Sequence, residues 1–193
     1  FIPFIDTAYQ GLGDGLDEDG YGMRMMAERL PELVLASSCS KNFGLYRERT
    51  GSITFIAETP EHADIVLSQA MSTARSIYSM PPAHGALLVS MVLGDDQLRA
   101  HWQAELETTR LRIKSMRTLL CDSIQDNEAG LDFSHIKEQK GMFSFLGITS
   151  LQLERLRDEF GIYIVSSTRI NLAGVNSNNI DYLSQSMLRV LKP

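Results

Sequence analysis

Lys41 stands in the run Ser37-Ser38-Cys39-Ser40-Lys41-Asn42-Phe43-Gly44, directly after the apolar stretch Leu33-Val34-Leu35-Ala36. A lysine at the carboxyl end of a buried strand, among small hydroxyl side chains, occupies the place where open α/β sheets bind ligands. Desolvation at such a place favours the neutral amine, the form that attacks a carbonyl carbon to make a Schiff base. A lysine met alone is far more often a solvated surface charge, so this chemistry needs support from the rest of the chain.

The elements that must position Lys41 can be read in order. Residues 1–5 are an apolar run ending at Asp6, the pattern of a central strand of a parallel sheet. Residues 11–20 are rich in glycine and acids and read as a loop or helix entrance, followed by a helix over 21–30 that stops at Pro31. Strands are expected over 33–36 and over 51–57, the latter rich in β-branched residues. A helix begins at Pro60-Glu61 and breaks at Ser79-Met80-Pro81-Pro82. Residues 86–93 read as a short buried helix, and 95–124 as a long amphipathic one carrying Leu98, Trp102, Leu106, Ile113 and Leu120 on one stripe. At about 1.5 Å per residue the long helix reaches about 45 Å, enough to join two domains. Beyond it, strands are expected over 142–145, 162–165 and 170–173. A capping box at Thr149-Ser150-Leu151-Gln152 opens a helix that ends at Gly161, and a closing helix spans 179–191. Strands and helices alternate in the first part, an α/β pattern, and the last third reads as α+β.

Bulk properties narrow the classes of partner. A formal net charge of −6 argues against the concentrated basic surface that nucleic acid requires, and gives no reason to expect an anionic membrane. No apolar run approaches the roughly 20 residues needed to span a bilayer. Cys39 and Cys121 have no spacing that points to a disulfide framework or zinc site, so a reducing, cytoplasmic setting is expected. The chain opens Phe-Ile-Pro-Phe-Ile-Asp, without Met and in the middle of a strand pattern, and is expected to be a piece of a longer protein.

The segment from Ser37 to Arg49 resembles the lysine segment of the aspartate aminotransferase family, the class I, fold type I enzymes that use pyridoxal phosphate (PLP). Four more stretches resemble it in the same order and spacing. They are Asp6-Thr7-Ala8-Tyr9-Gln10-Gly11, then Arg75 with Tyr78-Ser79-Met80-Pro81-Pro82-Ala83-His84-Gly85, then Gly141-Met142-Phe143-Ser144-Phe145, and Arg169-Ile170-Asn171-Leu172-Ala173-Gly174. The resemblance covers essentially the whole chain and matches the carboxyl-terminal half of a family member. It implies an α/β fold: part of the large PLP-binding domain over 1–108, a mixed, mostly parallel sheet flanked by helices. A smaller α+β carboxyl-terminal domain over 109–193 is joined to it by the long helix.

The resemblance also implies roles. Lys41 would hold PLP as a Schiff base and later carry the proton. Asp6 would pair with the pyridinium nitrogen, keeping the ring an electron acceptor, and Tyr9 would hydrogen-bond its 3-oxygen. Ser38 and Arg49 would hold the phosphate by charge-assisted bonds. Arg169 would take the substrate α-carboxylate as a bidentate pair, and Arg75 would reach from the other subunit of a homodimer to a side-chain carboxylate. Alone, each has a plainer reading: Asp6 a strand-end cap, Tyr9 a half-buried aromatic, Ser38 a loop hydroxyl, the arginines surface charges. His84 reads as a helix start and Asn171 as a partner of Arg169 or of backbone groups.

The implied activity is ping-pong transamination between an amino acid and a 2-oxo acid such as 2-oxoglutarate. Arg75 does not separate aspartate or glutamate from aromatic substrates. Two positions depart from the family pattern: Cys39, where an aromatic or other residue is more usual between the serines, and Met80, where Asn or Ser often precedes the two prolines. The family's amino-terminal half carries a phosphate loop and the residue stacked on the ring, and neither is found here. The alternative reading is therefore a non-catalytic fragment or dimerisation portion, inactive without that half.

Overall fold

The computed structural model describes every residue except 126, 127, 129 and 193. The chain forms two compact units, Phe1–Glu107 and Thr108–Pro193. The first holds β1 (Phe4–Thr7), α1 (Leu16–Arg29), β2 (Leu33–Ser38), β3 (Gly51–Ile56), α2 (Pro60–Tyr78), α3 (His84–Gly94) and the start of α4 (Asp96–Gln125). Its strands lie in the order β1-β2-β3. β1 and β2 are parallel, with Asp6 opposite Ala36 and Thr7 opposite Ser37. β2 and β3 are antiparallel, with Ser38 opposite Gly51.

The sheet is mixed as expected, but among the described strands one pairing of two is parallel, so "mostly parallel" is not what these strands show. The connections explain it. α1 carries the chain back between β1 and β2, which parallel pairing needs, whereas 39–50 contain no crossover helix and return the chain antiparallel. β1 also differs from the expected buried central strand over 1–5. It begins at Phe4 and pairs on one side only, so Phe1, Ile2 and Phe4 are exposed.

α1 starts five residues earlier than the pattern predicts, at Leu16, because Asp17, Glu18 and Asp19 fill its first turn and complement the positive end of the helix dipole. It stops where Leu30, forced extended before Pro31, leaves the helical region. α2 begins as expected: Pro60 occupies the first turn, and the Thr59 hydroxyl accepts the N–H of His62 at 3.2 Å. α3 forms where a buried helix was expected, but it is not buried. Leu87 and Met91 are 59% and 63% exposed, because nothing in this unit packs on their face. Among the described residues of the first unit, the buried apolar side chains are Leu12, Leu33 and Leu106.

The second unit is different in kind. It holds the rest of α4, α5 (His135–Glu138), β4 (Phe143–Phe145), α6 (Ser150–Phe160), β5 (Arg169–Asn171), a 3-10 turn (Leu172–Gly174) and α7 (Ile180–Val190). β4 and β5 pair antiparallel, with Ser144 opposite Ile170. Ile113, Leu120 and Ile124 on α4 are almost fully buried together with Leu146, Leu156, Leu172 and Met187, a continuous apolar core. Arg117 is buried among them and spends its guanidinium on the Ser144 hydroxyl at 3.2 Å and the Gly141 carbonyl, with burial lowering its pKa. The strand expected over 162–165 does not form, since among the described residues no neighbouring strand offers it a ladder. β5 ends at Asn171, whose side chain accepts the Ala173 N–H at 3.0 Å and turns the chain into the 3-10 turn.

α6 forms as its sequence dictates. Thr149 Oγ1 accepts the N–H of Gln152 at 3.3 Å, the Gln152 side chain accepts the N–H of Thr149 at 2.8 Å, and Gly161 closes the helix at φ 62°. Thr149→Ala should lower the free energy of unfolding by about 1 kcal/mol, read from the urea midpoint. An unchanged midpoint would contradict a stabilising cap.

Candidate active site

The parallel register of β1 and β2 sets the carboxyl ends of both strands side by side, so the loops carrying Tyr9 and Lys41 leave the sheet at one edge. Lys41 Nζ lies 5.1 Å from the centre of the Tyr9 ring and 4.7 Å from that of Tyr46. Two aromatic faces hold an ammonium by their quadrupoles without neutralising it. Among the described residues Lys41 makes no ion pair with a carboxylate, so its amine is kept for other chemistry.

Ser38, the last residue of β2, donates its hydroxyl to Ser40 Oγ at 2.9 Å and accepts the Ser40 N–H at 3.2 Å. Ser40 is thereby buried as a loop-shaping residue. Arg49 is exposed, with its guanidinium 5.7 Å from the Tyr46 ring and donating to the Tyr46 carbonyl at 3.0 Å. Tyr46 is thus the shared neighbour of Lys41 and Arg49. The lysine segment contained it, but nothing in its residue type or spacing marked it as a contact of both cations.

Arg49 has φ 54°, a left-handed conformation uncommon outside glycine. Among the described residues the other non-glycine positions with positive φ are Ser79, four residues after Arg75, and Thr168, directly before Arg169. Unfavourable backbone conformations concentrate at functional sites, and here each lies at or near an arginine singled out from the sequence. The turn at Arg49 is held from outside by α3. His84 Nδ1 lies 3.1 Å from Glu48 Oε2, and a Cβ on the buried Gly85 would collide with Thr50 and Glu48.

The loop after β1 is fixed by one carboxylate that the sequence did not single out. Asp19 accepts the backbone N–H groups of Gly11, Gly13 and Asp14 at 2.8, 2.9 and 2.9 Å. Asp6 itself is exposed, at the end of β1 opposite Ala36. Lys41, Tyr9, Ser38 and Arg49 are therefore brought to one edge with Asp6. Arg75 is exposed on α2, and among the described residues no hydrogen bond or ion pair joins it to the lysine loop. Arg169 belongs to the second unit. There it opens β5 with its guanidinium 4.6 Å from the Phe143 ring centre, on a cavity of about 500 Å³ also lined by Ile164, Val165 and Tyr182. Asn171 satisfies backbone groups rather than Arg169.

In chemistry, the first unit's set suits a phosphorylated pyridine aldehyde: an unpaired amine, a carboxylate at the adjacent strand end, a phenol, a hydroxyl and a guanidinium. Among the described residues no cluster of His, Cys, Asp or Glu could hold a metal ion.

The family model for aminotransferase class I and II matches residues 1–187, and the chain belongs to that family. It is 51% identical over 191 residues to an aspartate aminotransferase of Haemophilus influenzae, covering 99% of this chain and 48% of that protein. Among solved structures it is similar to an aromatic amino acid aminotransferase of Psychrobacter sp. B6 cocrystallised with aspartic acid, with TM-score 0.95 and 44% identity over 100% of this chain and 48% of that one. An aromatic-amino-acid aminotransferase of Burkholderia pseudomallei, covalently bound to pyridoxal phosphate, gives TM-score 0.95 and 42% identity over 99% of this chain and 48% of that one. The chain thus spans about half the length of the relatives it matches.

Cys39 sits between the two serines, its N–H bonded to the Thr50 carbonyl at 3.0 Å, and partial burial pushes its thiol pKa up. The thiolate fraction at neutral pH is therefore below that of a free cysteine. Alkylation of Cys39 by iodoacetamide at pH 7 should be slower than that of a free thiol, with its pH midpoint displaced upward. A fast, acidic thiol would contradict the burial.

Proposed function

We propose that the protein carrying this chain is a PLP-dependent aminotransferase of the aspartate or aromatic amino acid type, exchanging an amino group between an amino acid and a 2-oxo acid such as 2-oxoglutarate. The observation that carries the reading is the Lys41 amine, free of any acid partner and flanked by Tyr9 and Tyr46 at the edge where β1 and β2 end. The family membership and the PLP-bound relative support it.

When bound, PLP supplies an electron sink for the bond broken at the substrate Cα. This chain's residues do the rest. Lys41 would hold the cofactor through its amine, and the same amine would carry the proton from the substrate Cα. Asp6 would pair with the ring nitrogen, Tyr9 would hydrogen-bond the ring's 3-oxygen, and Ser38 with Arg49 would hold the phosphate. Arg169 binds the α-carboxylate as a fork, which fixes the angle of the Cα–H bond. Arg75 acts on a side-chain carboxylate from the neighbouring subunit of a homodimer. This fits its exposure on a helix whose Ile65, Met71 and Ile77 are also left in water.

The same reading assigns the two units to part of a large PLP-binding domain and to a small carboxyl-terminal domain. The apolar residues exposed on α2 and α3 are then covered by the rest of the protein and by the second subunit. The chain carries part of the site, so the 193 residues alone are expected not to retain stoichiometric PLP. A cytoplasmic location belongs to this reading, in keeping with the free thiols of Cys39 and Cys121. Among the described residues no helix is long and apolar enough to cross a membrane.

Two measurements test the proposal. In the complete protein, Lys41→Ala should abolish the visible absorbance of lysine-bound PLP and reduce transamination of aspartate, phenylalanine and tyrosine by at least about 10³-fold. Retained activity would overturn it. The isolated 193-residue chain, dialysed after incubation with PLP, should keep far less than one equivalent, and a full equivalent would contradict a shared site.

A further inference from the structure

We propose that Trp102 of α4, acting through Asn42, is a positioning residue that fixes Lys41 relative to Tyr9. This rests on the reading of Lys41 as the PLP lysine. Trp102 Nε1 donates to the Asn42 carbonyl at 2.7 Å, across 60 residues of sequence. Its ring stacks on Phe43, with centroids 4.3 Å apart and planes 13° from parallel. The Asn42 side chain donates in turn to the Gln10 carbonyl at 3.2 Å, and the Gln10 side chain donates to the Leu16 carbonyl at 3.0 Å. One continuous path therefore runs from α4, through the residues directly after Lys41, to the residue directly after Tyr9 and the start of α1.

Lys41 and Tyr9 themselves meet ring to ammonium at 5.1 Å, a contact that sets a distance but not a direction. Asn42 is costly where it stands. Its Oδ1 is buried and, among the described residues, has no hydrogen-bond partner. An unpaired buried acceptor costs roughly 1–3 kcal/mol, and such departures from local economy are characteristic of functional positions. The amide is retained for what its donor side does, which is to join the two loops. The stacked Trp102 ring removes the freedom of the segment that carries Lys41, and displacement by about 1 Å of a group so placed costs up to about 10²-fold in rate.

The test uses the complete protein with Trp102→Phe, Trp102→Ala and Asn42→Ala, beside Lys41→Ala. Trp102→Phe keeps a ring on Phe43 and drops the bond to Asn42. Trp102→Ala should lower kcat by about 10-fold with KM within about two-fold, and Trp102→Phe by about five-fold, the worth of one hydrogen bond. Both, and Asn42→Ala, should shift the pH midpoint of the bound cofactor's visible absorbance, since Tyr9 and Lys41 move relative to one another. In the cofactor-free protein, amide hydrogen exchange across residues 39–46 should quicken in all three. If exchange, midpoint and kcat all stay at wild-type values, the clamp is overturned. It is equally overturned if kcat falls only in step with thermal stability while the midpoint holds, the mark of a merely structural residue. Failure of the PLP-lysine reading is recognised separately, as retained activity in Lys41→Ala, and the exchange rates report the clamp regardless.

Discussion

The parallel pairing of β1 with β2 is the constraint on which the candidate site depends. It places Asp6 beside Ala36 and Thr7 beside Ser37, so that two strands point their carboxyl ends the same way at one edge. Parallel neighbours need a long return, which α1 supplies, and the loops that follow each strand are then forced to share the space beyond the sheet. A slip of one residue in this register would turn Asp6 to the opposite face and move Tyr9 away from Lys41. The antiparallel return of β3 adds the second boundary, since it fixes Gly51 opposite Ser38 and so brings the Arg49 turn back to the lysine loop.

Around that register the chain spends polar groups on loop geometry rather than on stability. Asp19 holds the loop after β1 through three backbone donors, Ser38 and Ser40 bond to each other, and α3 presses Gly85 against the Arg49 turn. The left-handed backbone at Arg49, Ser79 and Thr168 is of the same kind: local conformations maintained by their surroundings at or near a candidate arginine. The two units contrast in the source of their cohesion. The second is built on an ordinary apolar core along α4, α6 and α7, whereas the first leaves large apolar side chains of α2 and α3 in water.

Much of this was legible in the sequence, for identifiable reasons. The capping box at Thr149, the stop at Gly161, the long stripe of α4 and the strand before Lys41 are written in local residue types. The lysine motif and four companions in register named the family, which the family match over residues 1–187 bears out. What the sequence misjudged depended on partners far along the chain. Among the described residues, 162–165 look like a strand but find no ladder; 86–93 look buried, but Leu87, Leu88 and Met91 are exposed; and β1 looks central, but it pairs on one side. Tyr46, Asp19 and the Asn42–Trp102 bond were invisible because each is a contact across turns or across 60 residues, with no spacing to announce it.

The central claim is that the Lys41 amine is where PLP is held. It is tested most directly by reducing the complete, PLP-loaded protein with borohydride, digesting it and mapping the fixed cofactor by mass spectrometry. The account predicts a single pyridoxyl phosphate adduct on the peptide bearing Ser40-Lys41-Asn42, at Lys41 itself. An adduct on another lysine, or none on this peptide, would contradict it.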